Sequence, residues 1–319
     1  MKIIMYDKLK LRKKMAKCII CENDNWFKYC DIEGQKYDVL MCKKCSFTKL
    51  DPTPTEEELN QFYSKTYREK YSNQDEVDQE VIDYEQLRAN RVFSFIKPYF
   101  KKSFVNILDV GCSSGTLLKN VATLSDNPTL YGIEMNDNYR KFIVKTNLAK
   151  EDNITNSDIN TFYKNQEEKF DFISIVHVLE HLKYPAKAIK SIHSLLNGGG
   201  IMYIEVPNLK TPYNNLRKQY FAIYHLYNFT ETTLRALLKK VGFEIIEEKQ
   251  IANTSICFVC KKNFSKIREL KIDDEEFSTV IKTLKKYERN YPLMLLKQYI
   301  IKVLEVLGMK EYIKKLIGK

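Results

Sequence analysis

Residues able to do chemistry fall into three sets in this chain, and the first is made of cysteines. Cys18-Ile-Ile-Cys21 and Cys42-Lys-Lys-Cys45 are two Cys-x-x-Cys knuckles separated by residues 22–41. Each knuckle presents two thiolates from a tight turn, and four together complete a tetrahedral site for one Zn²⁺. The opening segment MKIIMYDKLKLRKK has no apolar stretch of the secretory kind, so a reducing, cytoplasmic setting is expected, and zinc is favoured over disulfides. Between the knuckles, WFKYCDIEGQKYDVL reads as β structure turning at Glu33-Gly34. So short a segment cannot fold on its own apolar core, and metal binding would supply the missing stability. Cys30 lies outside both knuckles and reads as a packing residue. Cys257 and Cys260 repeat the spacing inside the strand-like SICFVCKK, where positions three apart face opposite sides. That pair is excluded as a metal site.

The second set surrounds a glycine turn. ILDVGCSSGTLLKNV is a buried strand breaking at Asp109 and Gly111 into a turn that reaches Gly115 and then a helix. A dinucleotide site would call for Gly-x-Gly-x-x-Gly, which seats a pyrophosphate on the helix N-terminus. Gly-x-x-x-Gly with a carboxylate two residues ahead suits instead a ligand without phosphates that presents an ammonium, as the methionine half of S-adenosylmethionine does. Glu134 closes the following strand, where a carboxylate can accept both hydroxyls of a ribose. Asp158, in NITNSDIN, is expected near the adenine. The third set is His177, Glu180 and His181 in IVHVLEHLKYP with the distant His225 in YHLYNF. Imidazoles can move a proton near neutral pH. Two or three of them with a carboxylate also make a reasonable second site for Zn²⁺, Mn²⁺ or Fe²⁺ and a poor one for Mg²⁺. His193, inside AKAIKSIHSLL, reads as an ordinary helix residue.

The elements that must hold these residues alternate along the chain. Strands are expected at 104–110, 129–135, 170–176, 201–206, 243–249 and 255–261, with helices at 115–124, 137–147, 185–196 and 230–241. This alternation predicts an α/β, doubly wound (Rossmann-like), mostly parallel sheet, whose ligands bind at the carboxyl ends of the strands. A chain of 319 residues with 44% hydrophobic side chains can bury one main domain with appendages. The expected divisions are a basic extension (1–17), a zinc ribbon (18–48), a helical linker (49–87), the α/β domain (88–262) and a basic helical tail (263–319).

Six landmarks in order, LDVGCSSG, YGIEM, NSDI, FDFISIVHVLEHL, LLNGGGIMYIEVPN and HLYNFTETTLRALLKKVGF, resemble the class I S-adenosylmethionine-dependent methyltransferases over residues 88–262. The resemblance is to the large bacterial branch with a Leu-x-x-Gly-Gly strand and a Val-Pro-Asn loop. It implies that Asp109, Gly111 and Gly115 contact the methionyl part, Glu134 the ribose and Asp158 the adenine. Ser113 stands where the family usually has its middle glycine. In related enzymes the Glu-His after the fourth strand borders the transfer pocket, so the resemblance implies His181 as base and Glu180 as its orienter. His177-x-x-Glu180-His181 with His225 also resembles the Glu-x-x-Glu-His plus His set that binds a divalent metal in small-RNA 2′-O-methyltransferases, and ubiquinone-pathway O-methyltransferases share its first part. Here a histidine replaces the first glutamate.

The acceptor side is expected from TPYNNLRKQYFAIYHLYNF, through Tyr213, Tyr220, Phe221, Tyr224, Tyr227 and Phe229. A ribbon fused to this branch resembles enzymes of bacterial surface-glycan and natural-product pathways, which implies O-methylation of a sugar, glycan or other small acceptor. The net charge of +11 is carried at the ends, +6 in residues 1–17 and +7 in 281–319, which leaves −2 between them. Nucleic acid is therefore a less favoured partner, although an RNA methyltransferase gripping with ribbon and tails is a second reading, and a non-catalytic cofactor-binding module a third. No run approaches the roughly 20 apolar residues of a membrane span. Leu296, Ile300, Val303 and Leu307 form a stripe at helical spacing after Pro292, the expected helix start, with Gly308 as a break. Docking on the chain's own body is the first expectation for the stripe, and peripheral contact with the inner membrane surface the second.

Overall fold

The computed structural model describes residues 16–59, 61, 77, 79–263 and 272–309. The basic segment 1–15, nearly all of 60–78, residues 264–271 and residues 310–319 lie outside the described residues.

The apolar runs that alternate with helices along the chain form a seven-stranded sheet in the order β10-β11-β8-β7-β4-β5-β6. Its strands are β4 (Asn106–Val110), β5 (Thr129–Ile133), β6 (Ile154–Thr155), β7 (Phe170–Val176), β8 (Leu196–Pro207), β10 (Phe243–Ile251) and β11 (Ser255–Lys262). β6, β5, β4, β7 and β8 run parallel, while β11 is antiparallel to both β8 and β10. The central strands are buried on both faces, which explains runs such as FDFISIV in place of alternation. Helices α1 (Gln79–Ile96), α2 (Thr116–Ala122), α3 (Asp137–Lys145), α4 (Ile159–Asn165), α5 (Pro185–Leu195) and α6 (Glu231–Val241) cover it. Sharp caps set several boundaries: Asn136 accepts two N–H groups ahead of α3, and Thr230 with Thr233 forms a capping box ahead of α6. The doubly wound fold is therefore as expected. β8 begins earlier than its periodicity suggests, because its glycine run enters the strand directly from α5. The paired cysteines of β11 separate as the strand period requires, Cys257 and Cys260 joining different hydrophobic clusters.

The ribbon is not a detached module. β1 (Trp26–Asp31), β2 (Asp38–Cys42) and β3 (Thr48–Asp51) form an antiparallel sheet that is completed by β9 (Tyr227–Asn228) from the α/β domain. β3 pairs with β9 at Thr48 and Lys49, and Leu50 donates its N–H to the Leu226 carbonyl. Residues 49–51, expected to open a helical linker, thus continue the strand from Thr48, because they find a partner edge far away in sequence. Phe47 stacks on Tyr227 at 5.4 Å and packs with Cys18, Cys42 and Cys45 into the cluster that holds Ile204, Phe229 and Leu234.

Helix α7 (Glu276–Val306) runs through Pro292 and does not start there. Proline costs one i→i−4 hydrogen bond, but the turns before it are already fixed on the body by Phe277, Val280, Ile281, Leu284 and Tyr287. Docking is therefore made by the first half of the helix, against Cys30, Tyr37, Met41, Tyr220 and Phe221. The stripe expected to bury itself does not: Leu296 is 54% exposed and Leu307 64%. Gly308 does end the helix, in a left-handed conformation.

Candidate functional site

The glycine turn after β4 is the base of a cleft lined by Glu85, Arg88, Asp109, Gly111, Ser113 and Leu117 among others. Gly111 and Gly115 both have φ +78, and Ser113 adopts φ +47 despite its side chain. Two carboxylates hold that strained turn. Glu134, at the end of β5, accepts from Ser113 N–H at 2.9 Å and Asn136 N–H at 2.8 Å. Glu85, from α1, accepts from Ser113 Oγ at 2.5 Å and also from the Ser114 hydroxyl. Burial raises Glu134 above the usual carboxylate range against those N–H groups, and pushes Asp109 up to about 7 against a 2.7 Å hydrogen bond from Ser174. Glu85 and Asp109 line the cleft and Glu134 holds its turn, an arrangement of acids that suits a ligand bringing positive charge and hydroxyl donors. At Gly111 an added Cβ would lie 2.4 Å from Val178 Cγ2. Gly111→Ala is expected to cost about 1–3 kcal/mol of stability through strain and overpacking, read from denaturant midpoints. An unchanged midpoint would refute that account of the turn.

Asp158, expected near the adenine, does not line this cleft and is the N-cap of α4, accepting from Asn160 N–H at 2.9 Å and from the Thr161 N–H and hydroxyl. Burial works against its charge, but these donors outweigh it and hold the carboxyl below the usual range. Its side chain is committed to helix capping.

A second constellation lies beyond the end of β7. Ligand atoms of Glu180, His181 and His225 all lie within 4.8 Å of one another, although His225 is 44 positions from His181. Both imidazoles are oriented through Nδ1. His181 Nδ1 lies 2.7 Å from the Tyr224 carbonyl and His225 Nδ1 3.0 Å from the Tyr220 carbonyl, so each Nδ1–H donates there and Nε2 is the nitrogen left for a ligand. Burial, and then the neighbouring His181, lowers His225 to about 4, which keeps it neutral. Glu180 is 2% exposed, and neither of its oxygens accepts a hydrogen bond. Burial disfavours its charge, but the His181 and His177 rings beside it hold it at about 2. A buried carboxylate without a hydrogen bond, beside two imidazoles whose Nδ1 atoms are already engaged, fits a divalent cation by donor chemistry. His177 does not join this set. It turns to Glu205, Nε2 at 3.1 Å, with Nδ1 3.5 Å from Glu180.

The four ribbon cysteines converge as their spacing predicts. Sγ–Sγ distances are 3.5 Å for Cys18–Cys45 and for Cys21–Cys42, and none of these cysteines is in a disulfide. All four sulfurs lie within 4.8 Å of one another, so one ion could take all four.

Of the aromatic segment expected to line an acceptor pocket, Tyr220, Phe221 and Phe229 are instead fully buried. They are the packing between ribbon, α7 and sheet. Tyr224 stays at the site, its ring 4.6 Å from His225 and 5.8 Å from His181. Two cleft residues escaped sequence reasoning. Glu85 lies on the stripe Glu85, Ala89, Val92 and Ile96 that α1 buries, and an acid on an apolar face is the signal that could have found it. Arg88 carries no comparable signal.

A family profile described as a methyltransferase domain matches residues 82–248. The ubiquinone biosynthesis O-methyltransferase of Actinobacillus pleuropneumoniae is 33% identical over 135 residues, which are 40% of this chain and 52% of that protein. The mitochondrial enzyme of the same description from Saccharomyces cerevisiae is 30% identical over 112 residues, 34% of this chain and 35% of that protein. The chain thus spans about half, or less, of the length of these relatives. Among solved structures, the 1,6-didemethyltoxoflavin-N1-methyltransferase of Burkholderia thailandensis superposes with a TM-score of 0.51 at 13% identity, covering 72% of this chain and 97% of that one. That likeness concerns the fold.

Proposed function

From the premise that the chain belongs to the methyltransferase-domain family, with a domain of the class I S-adenosylmethionine-dependent type, we propose that it O-methylates a small hydroxyl-bearing acceptor. Phenols and sugars are the acceptor classes that fit; the O-methyltransferase relatives favour the first and the ribbon architecture the second. The observation that carries the reading is the convergence of Glu180, His181 and His225 just beyond β7, the strand whose last residue, Val176, lines the cofactor cleft. These three residues would hold a divalent cation, which when bound would acidify an acceptor hydroxyl. Tyr220 and Tyr224 carbonyls take the Nδ1 hydrogens and leave the Nε2 atoms for the cation, and Tyr224 offers an aromatic wall for the acceptor. The remaining work is positioning, since transfer from a sulfonium is an in-line displacement. A second reading needs no metal: His181, the more exposed of the two imidazoles, takes the hydroxyl proton on Nε2 with Glu180 3.7 Å away. Transfer of labelled methyl from S-adenosylmethionine to a panel of catechols, phenols and sugars, with and without chelator, tests both. Chelator-sensitive methylation restored by Mn²⁺ supports the first, chelator-resistant methylation the second, and no transfer to any hydroxyl acceptor overturns O-methylation.

On the cofactor side, Asp109, Gly111 and Gly115 are assigned to the methionyl part, Glu134 to the ribose and the Asp158 segment to the adenine. Glu134→Ala is expected to weaken S-adenosylmethionine binding by about 1.5–3 kcal/mol, the cost of charge-assisted hydrogen bonds. Calorimetry giving wild-type affinity for a folded variant would contradict that role. Cys18, Cys21, Cys42 and Cys45 are assigned to one structural Zn²⁺.

A further inference from the structure

One buried polar chain has no part in the reactions above. Glu205, fully buried on β8, is a carboxylate in the middle of the sheet. Burying such a charge is costly unless partners replace its water. Three side chains do so: the Tyr203 hydroxyl donates at 2.6 Å, Arg91 Nη2 lies at 3.2 Å and His177 Nε2 at 3.1 Å. His177 is tied to the same residue a second time, its backbone N–H donating to the Glu205 carbonyl at 2.9 Å. Its backbone has φ +54, a region a residue with a Cβ occupies only when its surroundings over-determine it. On the far edge of the ring, Nδ1 lies 3.5 Å from Glu180 Oε1. Both ring nitrogens therefore face carboxylates, and His225, arriving from another part of the chain, supplies the second imidazole beside Glu180.

We propose that Glu205 and His177 form a brace that sets the position of the Glu180 carboxylate, which makes His177 a positioning residue and not a metal ligand. The proposal rests on the metal reading of the Glu180, His181 and His225 cluster. Groups behind a ligand fix its orientation, and their loss typically weakens metal binding by about 10- to 100-fold. Arg91 carries the brace to α1, the helix whose Glu85 holds the glycine turn of the cofactor cleft, so one helix supports both halves of the site.

The test is a Mn²⁺ titration of the full chain followed by loss of the free-ion paramagnetic signal, since a four-thiolate site does not compete well for this hard ion. Circular dichroism and ribbon zinc content check that each variant folds. Wild type should bind one Mn²⁺ saturably and Glu180→Gln none. Glu205→Gln and His177→Gln should each weaken binding by about 10- to 100-fold. Because they interrupt one chain, the double variant should be no weaker than the weaker single one. Wild-type affinity in either single variant overturns the brace while leaving the metal site in place. Complete loss of binding in His177→Gln alongside wild-type behaviour of Glu205→Gln makes His177 a ligand, and also overturns it. If wild type and Glu180→Gln behave alike, the metal reading fails and the brace fails with it.

Discussion

Replacing His181 by alanine lowers turnover by about 100-fold to 10,000-fold while leaving S-adenosylmethionine affinity close to that of the wild type. The separation follows from the layout. His181 lies beyond the end of β7 with its Nδ1 anchored on the Tyr224 carbonyl, whereas the cofactor cleft is formed by the glycine turn after β4 and by α1. The side chain removed is the accessible member of a cluster whose carboxylate is buried, so the variant should lose chemistry and little stability. If a metal is used, His225→Ala loses activity to a similar degree, and chelator-treated wild type recovers on adding Mn²⁺. Single-turnover measurements separate transfer from binding. A folded His181→Ala enzyme with full activity would remove this residue from the site.

Replacing Cys42 by serine is the change expected to cost most in stability. Structural zinc contributes apparent folding free energies of about 10–16 kcal/mol in isolated finger peptides, against a total stability of about 5–15 kcal/mol for an ordinary domain. Were the ribbon a tethered appendage, its loss would leave the α/β domain intact. It is not tethered: Cys42 is fully buried in the main core cluster with Ile204, Phe229 and Leu234, and β3 is hydrogen-bonded to β9. Zinc content should fall from about one per chain to near zero and the melting temperature by more than about 10 °C. Activity should fall as well, because β9 begins two residues after His225 and the ladder to β3 holds that segment in place. A Cys42→Ser protein that melts with the wild type would show that the knuckles are not held by metal.

Which parts of this molecule could be read from the chain follows from the range of the interactions involved. Strand and helix alternation was legible because burial on two faces or one leaves its period in adjacent residues. The glycine turn was legible because positive φ selects residue type at the position itself, and Ser113 shows the limit, since carboxylates from β5 and α1 hold it where glycine is usual. The Cys₄ set was legible because each knuckle is a local turn, and two turns are enough to complete one tetrahedron.

Other features depended on pairs of surfaces that no local pattern describes. His177, Glu180, His181 and His225 were recognisable as a group, but only the tertiary arrangement turns His177 toward Glu205 and brings His225 to Glu180 and His181. The aromatic segment before β9 was legible as apolar, yet it became core and not pocket once the ribbon and α7 packed against it. α7 continues through Pro292 because contacts with distant residues had already fixed its first turns. The sequence by itself thus determined the sheet, the cofactor turn and the thiol site, each specified within a few residues. Tertiary structure decided the union of ribbon and domain, the acid of α1 over the glycine turn and the membership of the histidine cluster, because each arises from groups far apart in the chain that meet only when the core closes.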